Sequence, residues 1–232
     1  MDFLQDQTVQ RSSAPSQLSL IEPIVGHAAG GLQLDEGAVL LGGFAEPVAR
    51  ALIAALEDVV KAAPFRQMVT PGGWTMSVAM TNCGALGWVT DRSGYRYDPI
   101  DPESGRRWPK MPAVFAELAN SAAAAAGFAG FAPDACLINR YEPGARLSLH
   151  QDRNERDFGH PIVSVSLGLP ATFLWGGPKR ANRPRRVPLA HGDVVVWGGP
   201  ARLTFHGVHT LKDGSHPLTG NLRYNLTLRR AG

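Results

Sequence analysis

Two copies of the tripeptide His-x-Asp carry the clearest chemistry in this chain: His150-Gln151-Asp152 in LSLHQDRNERD and His191-Gly192-Asp193 in LAHGDVVVW. Side chains two residues apart on an extended segment project to the same side, so each copy can offer an imidazole and a carboxylate to one ion. A second, distant imidazole would complete the two-histidine, one-carboxylate set that holds a non-haem Fe(II) and leaves positions open for other ligands. The second copy reads as structure instead. Gly192 lies between Pro188 and the β-branched run DVVVW, the pattern of a hairpin turn entering a buried strand. For the first copy, spacing alone supports a ligand pair and a solvated loop equally.

Three histidines compete for the third position. His206 follows the alternating RLTF and can project from a strand. His209, three residues on, would face the opposite side of such a strand, and His216 sits in the polar DGSHP, where exposure is expected.

The segment RYNLTLR adds a second chemical feature. Arg223, Asn225, Thr227 and Arg229 alternate with Tyr224, Leu226 and Leu228, so a strand would carry two arginines on one face. On an outward face they would be solvated. On an inward face they need anions, because an unpaired buried charge is strongly unfavourable. A dicarboxylate such as 2-oxoglutarate would satisfy both through forked contacts that lysine cannot copy.

The elements that must position these residues follow from composition and period. The chain has 232 residues, 44% hydrophobic and 19% charged, with 26 Gly and 18 Pro, which suits one turn-rich globular domain rather than two. Two helices are expected, PVARALIAALEDVVKAA from Pro47 and PAVFAELANSAAAAA over Pro112 to Ala126, the second closed by Gly127. Between them, MVTPGGWTMSVAMTNCGALGW reads as a hairpin, followed by a loop rich in Tyr, Arg and Trp. After Gly127 the period becomes two: DACLINRY, RLSLH, PIVSVSLGL, ATFLW, RRVPLA, DVVVWG, RLTFHGV and NLRYNLTLR are separated mostly by Gly, Pro or Asn. That set predicts a mainly β, α+β fold with a jelly-roll (double-stranded β-helix) core over residues 130–232. Residues 1–31 show no period and are expected to form a flexible arm, leaving 32–232 as one domain.

The net charge of +3 permits a polyanionic partner without demanding one. The run KRANRPRR, Lys179 to Arg186, holds five positive residues and no acid; alone it reads as a solvated loop, and beside a nucleic acid it suits phosphate contacts. Cys83 and Cys136 lie in apolar surroundings and are expected to be buried free thiols in a reducing compartment. Asp2 and Asp6 do not suit a signal peptide, and no apolar run approaches the roughly 20 residues that span a bilayer, so a cytoplasmic protein with no membrane contact is expected.

The sequence closely resembles the bacterial AlkB proteins, Fe(II)- and 2-oxoglutarate-dependent dioxygenases that repair alkylated DNA. The resemblance runs from Phe65 to Ala231 and rests on FRQMVTPGGWTMSVAMTNCG, PDACLINRYEPGARLSLHQD, PIVSVSLGLPA, HGDVVVWGG and RYNLTLR. It implies that His150, Asp152 and His206 hold the iron, demoting His191, His209 and His216. It also implies that Asn139, Tyr141, Arg223, Asn225 and Arg229 surround 2-oxoglutarate, with Arg229 at the iron end and Arg223 with Tyr141 at the far carboxylate. Trp88, opposite His150, becomes a wall of the pocket for a flipped base. Trp74, Met76, Tyr95, Arg96 and Tyr97 belong to a nucleotide-recognition lid over residues 65–110, and Arg180 lies near the substrate.

The reaction so implied uses O2, removes N-methyl groups from bases such as 1-methyladenine and 3-methylcytosine, and releases formaldehyde, succinate and CO2. Single- or double-stranded DNA is the expected partner, RNA a further one, and a monomer suffices. The rival readings are a binding module without oxidation and a hydroxylase of a protein or small molecule. One position departs from the family pattern: Asn154 stands where an Asp is expected to face the exocyclic amino group of the base, so it brings no negative charge to a cationic lesion.

Overall fold

The structure is a computed structural model and describes residues 31–232. The arm expected over residues 1–31 falls outside the described residues apart from Gly31. In chain order the elements are β1 (Leu32–Asp35), β2 (Ala38–Leu41), α1 (Ala49–Ala62), β3 (Arg66–Val69), β4 (Thr75–Gly84), β5 (Gly87–Asp91), β6 (Gly94–Asp98) and α2 (Ala113–Ala125). There follow β7 (Ala135–Tyr141), β8 (Leu147–His150), β9 (Ile162–Gly168), β10 (Ala171–Trp175), β11 (Arg185–Leu189), β12 (Val194–Trp197), β13 (His206–Val208) and β14 (Arg223–Arg229).

Both expected helices form. In α1, Ala49, Leu52, Leu56 and Val59 fall on one buried stripe, and Pro47 sits in the tight turn Glu46–Val48 that leads into it. In α2 the buried stripe is Phe115, Leu118, Ala119, Ala122 and Ala123. Gly127 then takes a positive φ of 89°, which lets the N–H of Phe128 turn back to the Ala123 carbonyl at 2.8 Å.

These helices cover one face of an eight-stranded sheet, β1-β2-β12-β9-β14-β7-β4-β3. A four-stranded sheet, β11-β10-β13-β8, packs on the other face. The alternation in β14 follows from this sandwich: Leu226 and Leu228 meet the helices, while Arg223, Asn225, Thr227 and Arg229 face the space between the sheets. Phe173 and Trp175 of β10 pack there against Trp197 of β12, with ring centroids 6.2 and 6.0 Å from it. The jelly-roll arrangement expected from the period is the one observed.

The structure corrects the sequence reading in three places. The stretch expected as a loop after Trp88 is a second hairpin, β5-β6, with Trp88 opposite Tyr97 and Thr90 opposite Tyr95. The alternation RLTF is not strand: Gly199–Ala201 is a 3-10 turn, and the strand begins only at His206. The large sheet also recruits β1–β4 from before residue 130. Cys83 and Cys136 are buried, free and directly opposite each other on β4 and β7. Among the described residues no helix is long and apolar enough to cross a membrane.

Candidate metal centre and substrate cavity

Strand pairing brings the two distant imidazoles together. β8 runs antiparallel to β13 with His150 directly opposite His206, and the rings lie 4.5 Å apart. The strands approach so closely at Gly207 that a side-chain Cβ there would sit 2.6 Å from the Leu147 carbonyl oxygen, so glycine is needed. Asp152, two residues past His150, turns its carboxylate between the rings: Oδ1 is 3.7 Å from His150 Nε2 and Oδ2 is 3.7 Å from His206 Nε2.

The donor set suits a metal. His150 Nδ1 is 2.9 Å from the Ser148 carbonyl and His206 Nδ1 is 2.9 Å from the Thr204 carbonyl. A carbonyl only accepts, so each ring carries its proton on Nδ1 and presents the Nε2 lone pair inward. Burial, with His150 beside it, pushes His206 down to about 4, which keeps it a neutral ligand near pH 7. Burial alone would raise the Asp152 carboxyl, but Arg229, His206 and His150 outweigh it and hold the carboxyl well below the usual range. The three ligand atoms lie within 4.8 Å of one another.

Next to the triad is a buried ionic network that the sequence reading did not contain. Arg229 donates to Asp152 Oδ2 through Nη2 at 2.7 Å and Nε at 3.1 Å, and its Nε is 3.4 Å from Glu155 Oε1. Arg202 donates to the Asp152 carbonyl at 2.8 Å and pairs with Glu155 Oε2 at 3.1 Å. Glu155 in RNERD and Arg202 in PARL look like solvated charges in the sequence, and no local signal marks their burial.

Further along β14, Arg223 is 1% exposed and donates to Ser166 Oγ at 3.1 Å. Among the described residues, its Nε and Nη1, the Tyr141 hydroxyl and Asn139 Oδ1 are buried without hydrogen-bond partners. The guanidinium lies over the Tyr141 ring, 5.0 Å from its centroid. Such groups are costly unless an anion meets them, so this end of the cavity fits a carboxylate.

One cavity of about 920 Å³ joins these parts, lined by the triad, Asn139, Arg223, Asn225 and Arg229. Trp88, Tyr95, Asn154 and Arg180 line its mouth, with Trp74 and Met76 beside them. Trp88 and Tyr95 stack with centroids 5.7 Å apart, and the Trp88 indole N–H donates to Asn154 Oδ1 at 3.2 Å. Three expected site residues do not line it. Tyr141 is buried beneath Arg223. Arg96 projects from the other face of the β5-β6 hairpin, where it pairs with Asp91 at 2.9 Å and Asp98 at 3.6 Å. Tyr97 donates its hydroxyl to Glu155 Oε1 at 2.7 Å.

Residues 37–229 match the family model of the 2OG-Fe(II) oxygenase superfamily. The chain belongs to the 2OG-Fe(II) oxygenase superfamily. It is 61% identical over 199 residues to the alpha-ketoglutarate-dependent dioxygenase AlkB of Escherichia coli (strain K12), covering 86% of this chain and 92% of that one. A DNA N(6)-methyladenine demethylase of Arabidopsis thaliana, ALKBH1D, is 40% identical over 111 residues, 42% of this chain and 25% of its own. The solved structure of OsALKBH1 superposes with a TM-score of 0.75 at 30% identity, covering 86% of this chain and 99% of that one. This oxygenase is therefore an Fe(II)- and 2-oxoglutarate-dependent dioxygenase of the bacterial AlkB kind, and its His150, Asp152 and His206 can form the iron site.

The remaining histidines of this oxygenase lie elsewhere. Asp193 accepts the backbone N–H groups of Gly43 and Ala190 at 2.8 and 2.7 Å, and Gly192 turns with φ +84° against Glu46, so the second His-x-Asp is a structural turn as read. His209 is exposed. His216 is half-buried rather than exposed, because it stacks on His191 with centroids 4.3 Å apart.

His191 Nδ1 accepts the Gly168 N–H at 2.9 Å, a role it can fill only when that nitrogen is unprotonated. Burial and His216 push its pKa below 6.5 in the fold. The unfolded chain then binds the proton first, so stability is intact above about pH 6.5 and falls as pH drops through that value toward the lower folded one. Thermal melts at pH 7.5 and 5.5 are expected to show a drop that is smaller in His191→Gln than in the native protein.

Proposed function

We propose that this dioxygenase removes N-methyl groups from bases of alkylated DNA, with RNA as a further substrate, and that residues 32–232 form one catalytic domain whose 65–110 region is the nucleotide-recognition lid. One observation carries the reading: the cavity that holds the triad is also lined by the stacked aromatic pair Trp88 and Tyr95, a surface on which a flipped base can stack. Extruding a base costs a few kcal/mol, less for a lesion that pairs poorly, and aromatic stacking offsets roughly 1–3 kcal/mol of that cost.

In this reading His150, Asp152 and His206 hold the iron. The unpartnered Arg223 and Tyr141 groups take the far carboxylate of 2-oxoglutarate, Asn139 and Asn225 flank it, and Arg229 balances charge at the iron end. Bound iron, 2-oxoglutarate and O2 supply the oxidation of N-methyl to N-hydroxymethyl, with succinate and CO2 as co-products, and the hydroxymethyl group leaves as formaldehyde. The protein's own share is placement: Trp88 and Tyr95 fix the base, and the buried aromatics Trp197 and Phe173 around His206 exclude water. Of the basic run, Arg180 is tied to the Leu149 carbonyl and lies over Phe205 at 5.2 Å, while Lys179, Arg183 and Arg186 are exposed and suited to phosphates. Arg96 and Tyr97 belong to the same lid. A monomer suffices for this chemistry, and the two free thiols suit the reducing cytoplasm.

Succinate release measured with a methylated oligonucleotide, its unmethylated twin and no nucleic acid tests the reading. Turnover is expected to rise many-fold only with the methylated strand. Equal turnover in all three would favour the hydroxylase of a protein or small molecule.

Asn154 bears on which lesions are handled well. Its carbonyl is occupied by the Trp88 indole and it carries no charge toward a cationic base. Asn154→Asp is expected to raise kcat/KM for 3-methylcytosine relative to a neutral lesion by roughly 5- to 30-fold, as charge-assisted hydrogen bonds are about twice as strong as neutral ones. Equal ratios in the two proteins would remove Asn154 as a determinant.

A further inference from the structure

The Glu155 side chain is 1% exposed and touches three other elements of the site. Its Oε1 accepts the Tyr97 hydroxyl at 2.7 Å and faces Arg229 Nε at 3.4 Å, and its Oε2 faces Arg202 Nη2 at 3.1 Å. Arg229 holds the side chain of Asp152, and Arg202 holds its backbone carbonyl. An unbroken path therefore leads from Tyr97 on β6 to both ends of the Asp152 residue. At its other end, Tyr97 stands directly opposite Trp88 in the β5-β6 register.

This wiring gives Tyr97 a different task from its neighbours on the hairpin. Trp88 and Tyr95 face the cavity, whereas the Tyr97 phenol is spent on Glu155 and does not line the cavity. Arg229 gives its hydrogen bonds to Asp152 while its Nε also lies 3.4 Å from Glu155 Oε1, so a shift of Glu155 changes the charge that holds Arg229 against Asp152. Groups in one buried network of hydrogen bonds and ion pairs respond together rather than singly.

We propose that Glu155 is a positioning residue through which the recognition hairpin, by way of Tyr97 and Arg229, sets the orientation of the Asp152 carboxylate. The placement of the hairpin and the readiness of the metal centre are then one linked equilibrium: a hairpin settled on a base steadies Asp152, and an occupied metal site steadies the hairpin. This rests on the iron centre and recognition hairpin described above.

The test is Mn(II) affinity of the metal-free full chain, without nucleic acid, in the native protein, Tyr97→Phe, Glu155→Gln and the double variant. Partners behind metal ligands typically change affinity by about 10- to 100-fold. Glu155→Gln is expected to weaken Mn(II) binding about tenfold and Tyr97→Phe about threefold. The double variant is expected to be no weaker than Glu155→Gln alone, because the path is already cut. Ser93→Ala, at the exposed turn of the same hairpin and bonded to Asp91 rather than Glu155, serves as control and keeps the native affinity. With methylated oligonucleotide, Tyr97→Phe is expected to lower kcat several-fold and leave KM for the strand within about twofold.

Native Mn(II) affinity in Tyr97→Phe, or independent multiplying losses in the double variant, would overturn the proposal. Should Glu155→Gln fail to fold, Tyr97→Phe against Ser93→Ala still decides. Because the titration contains no nucleic acid, its result stands apart from the choice of substrate.

Discussion

Asp152→Ala is expected to lose succinate formation by at least about 100-fold, while Asp193→Ala keeps native turnover per folded molecule and melts at a lower temperature. The two residues sit in the same tripeptide, and what separates them is surroundings. The Asp152 carboxylate stands 3.7 Å from the Nε2 atoms of both His150 and His206, so its removal takes away one of the three clustered ligand atoms. The loss should exceed the 10- to 100-fold typical of groups one shell further out. The Asp193 carboxylate accepts two backbone N–H groups, from Gly43 and Ala190, and its removal leaves these donors short of a partner at about 1–3 kcal/mol each where they are buried. Succinate yield and melting temperature measured on both variants check the pair together. Equal loss of turnover in both would mean that His191-Gly192-Asp193 shares in the chemistry.

Arg223→Met is expected to raise KM for 2-oxoglutarate by roughly 30-fold or more, the effect of cutting about 2–5 kcal/mol of charged hydrogen bonding. The same variant without cosubstrate is expected to melt no lower than the native protein. The two expectations come from one fact: Arg223 is buried with Nε and Nη1 unpartnered among the described residues, so its charge is costly until a carboxylate arrives. Methionine of similar length removes the cost and the attraction alike. Adding 2-oxoglutarate should raise the melting temperature of the native protein and leave Arg223→Met unmoved. Arg223→Lys tests geometry, since lysine keeps the charge but cannot supply the fork. A clear fall in the cosubstrate-free melting temperature of Arg223→Met, with KM unchanged, would make Arg223 a structural residue.

What the sequence made legible was set by how local each signal is. The alternation in RYNLTLR could be read because β14 is central, so one face must meet the helices and the other the cavity. Gly127 and Gly192 were legible because only a positive φ lets those turns close. The iron site was half legible. Spacing predicts that His150 and Asp152 share a face, but nothing in the chain between them and His206 says that β8 and β13 are neighbours. The alternation that pointed to His206 is in fact an irregular segment between the 3-10 turn Gly199–Ala201 and a short strand that begins at His206. The hairpin β5-β6 escaped because charged GYRYD mimics a loop, and its pairing with GWVTD depends on the tight Asp91–Gly94 turn. Glu155 and Arg202 were invisible for a stronger reason: their burial exists only once strands from distant parts of the chain close around them.

The most direct test of the account is mass spectrometry of a 3-methylcytosine oligonucleotide after incubation with the pure protein, Fe(II), 2-oxoglutarate and oxygen, beside Asp152→Ala. The account predicts loss of one methyl group with the native protein and none with Asp152→Ala. An unchanged strand in the native reaction, with iron bound and 2-oxoglutarate still consumed, would contradict it.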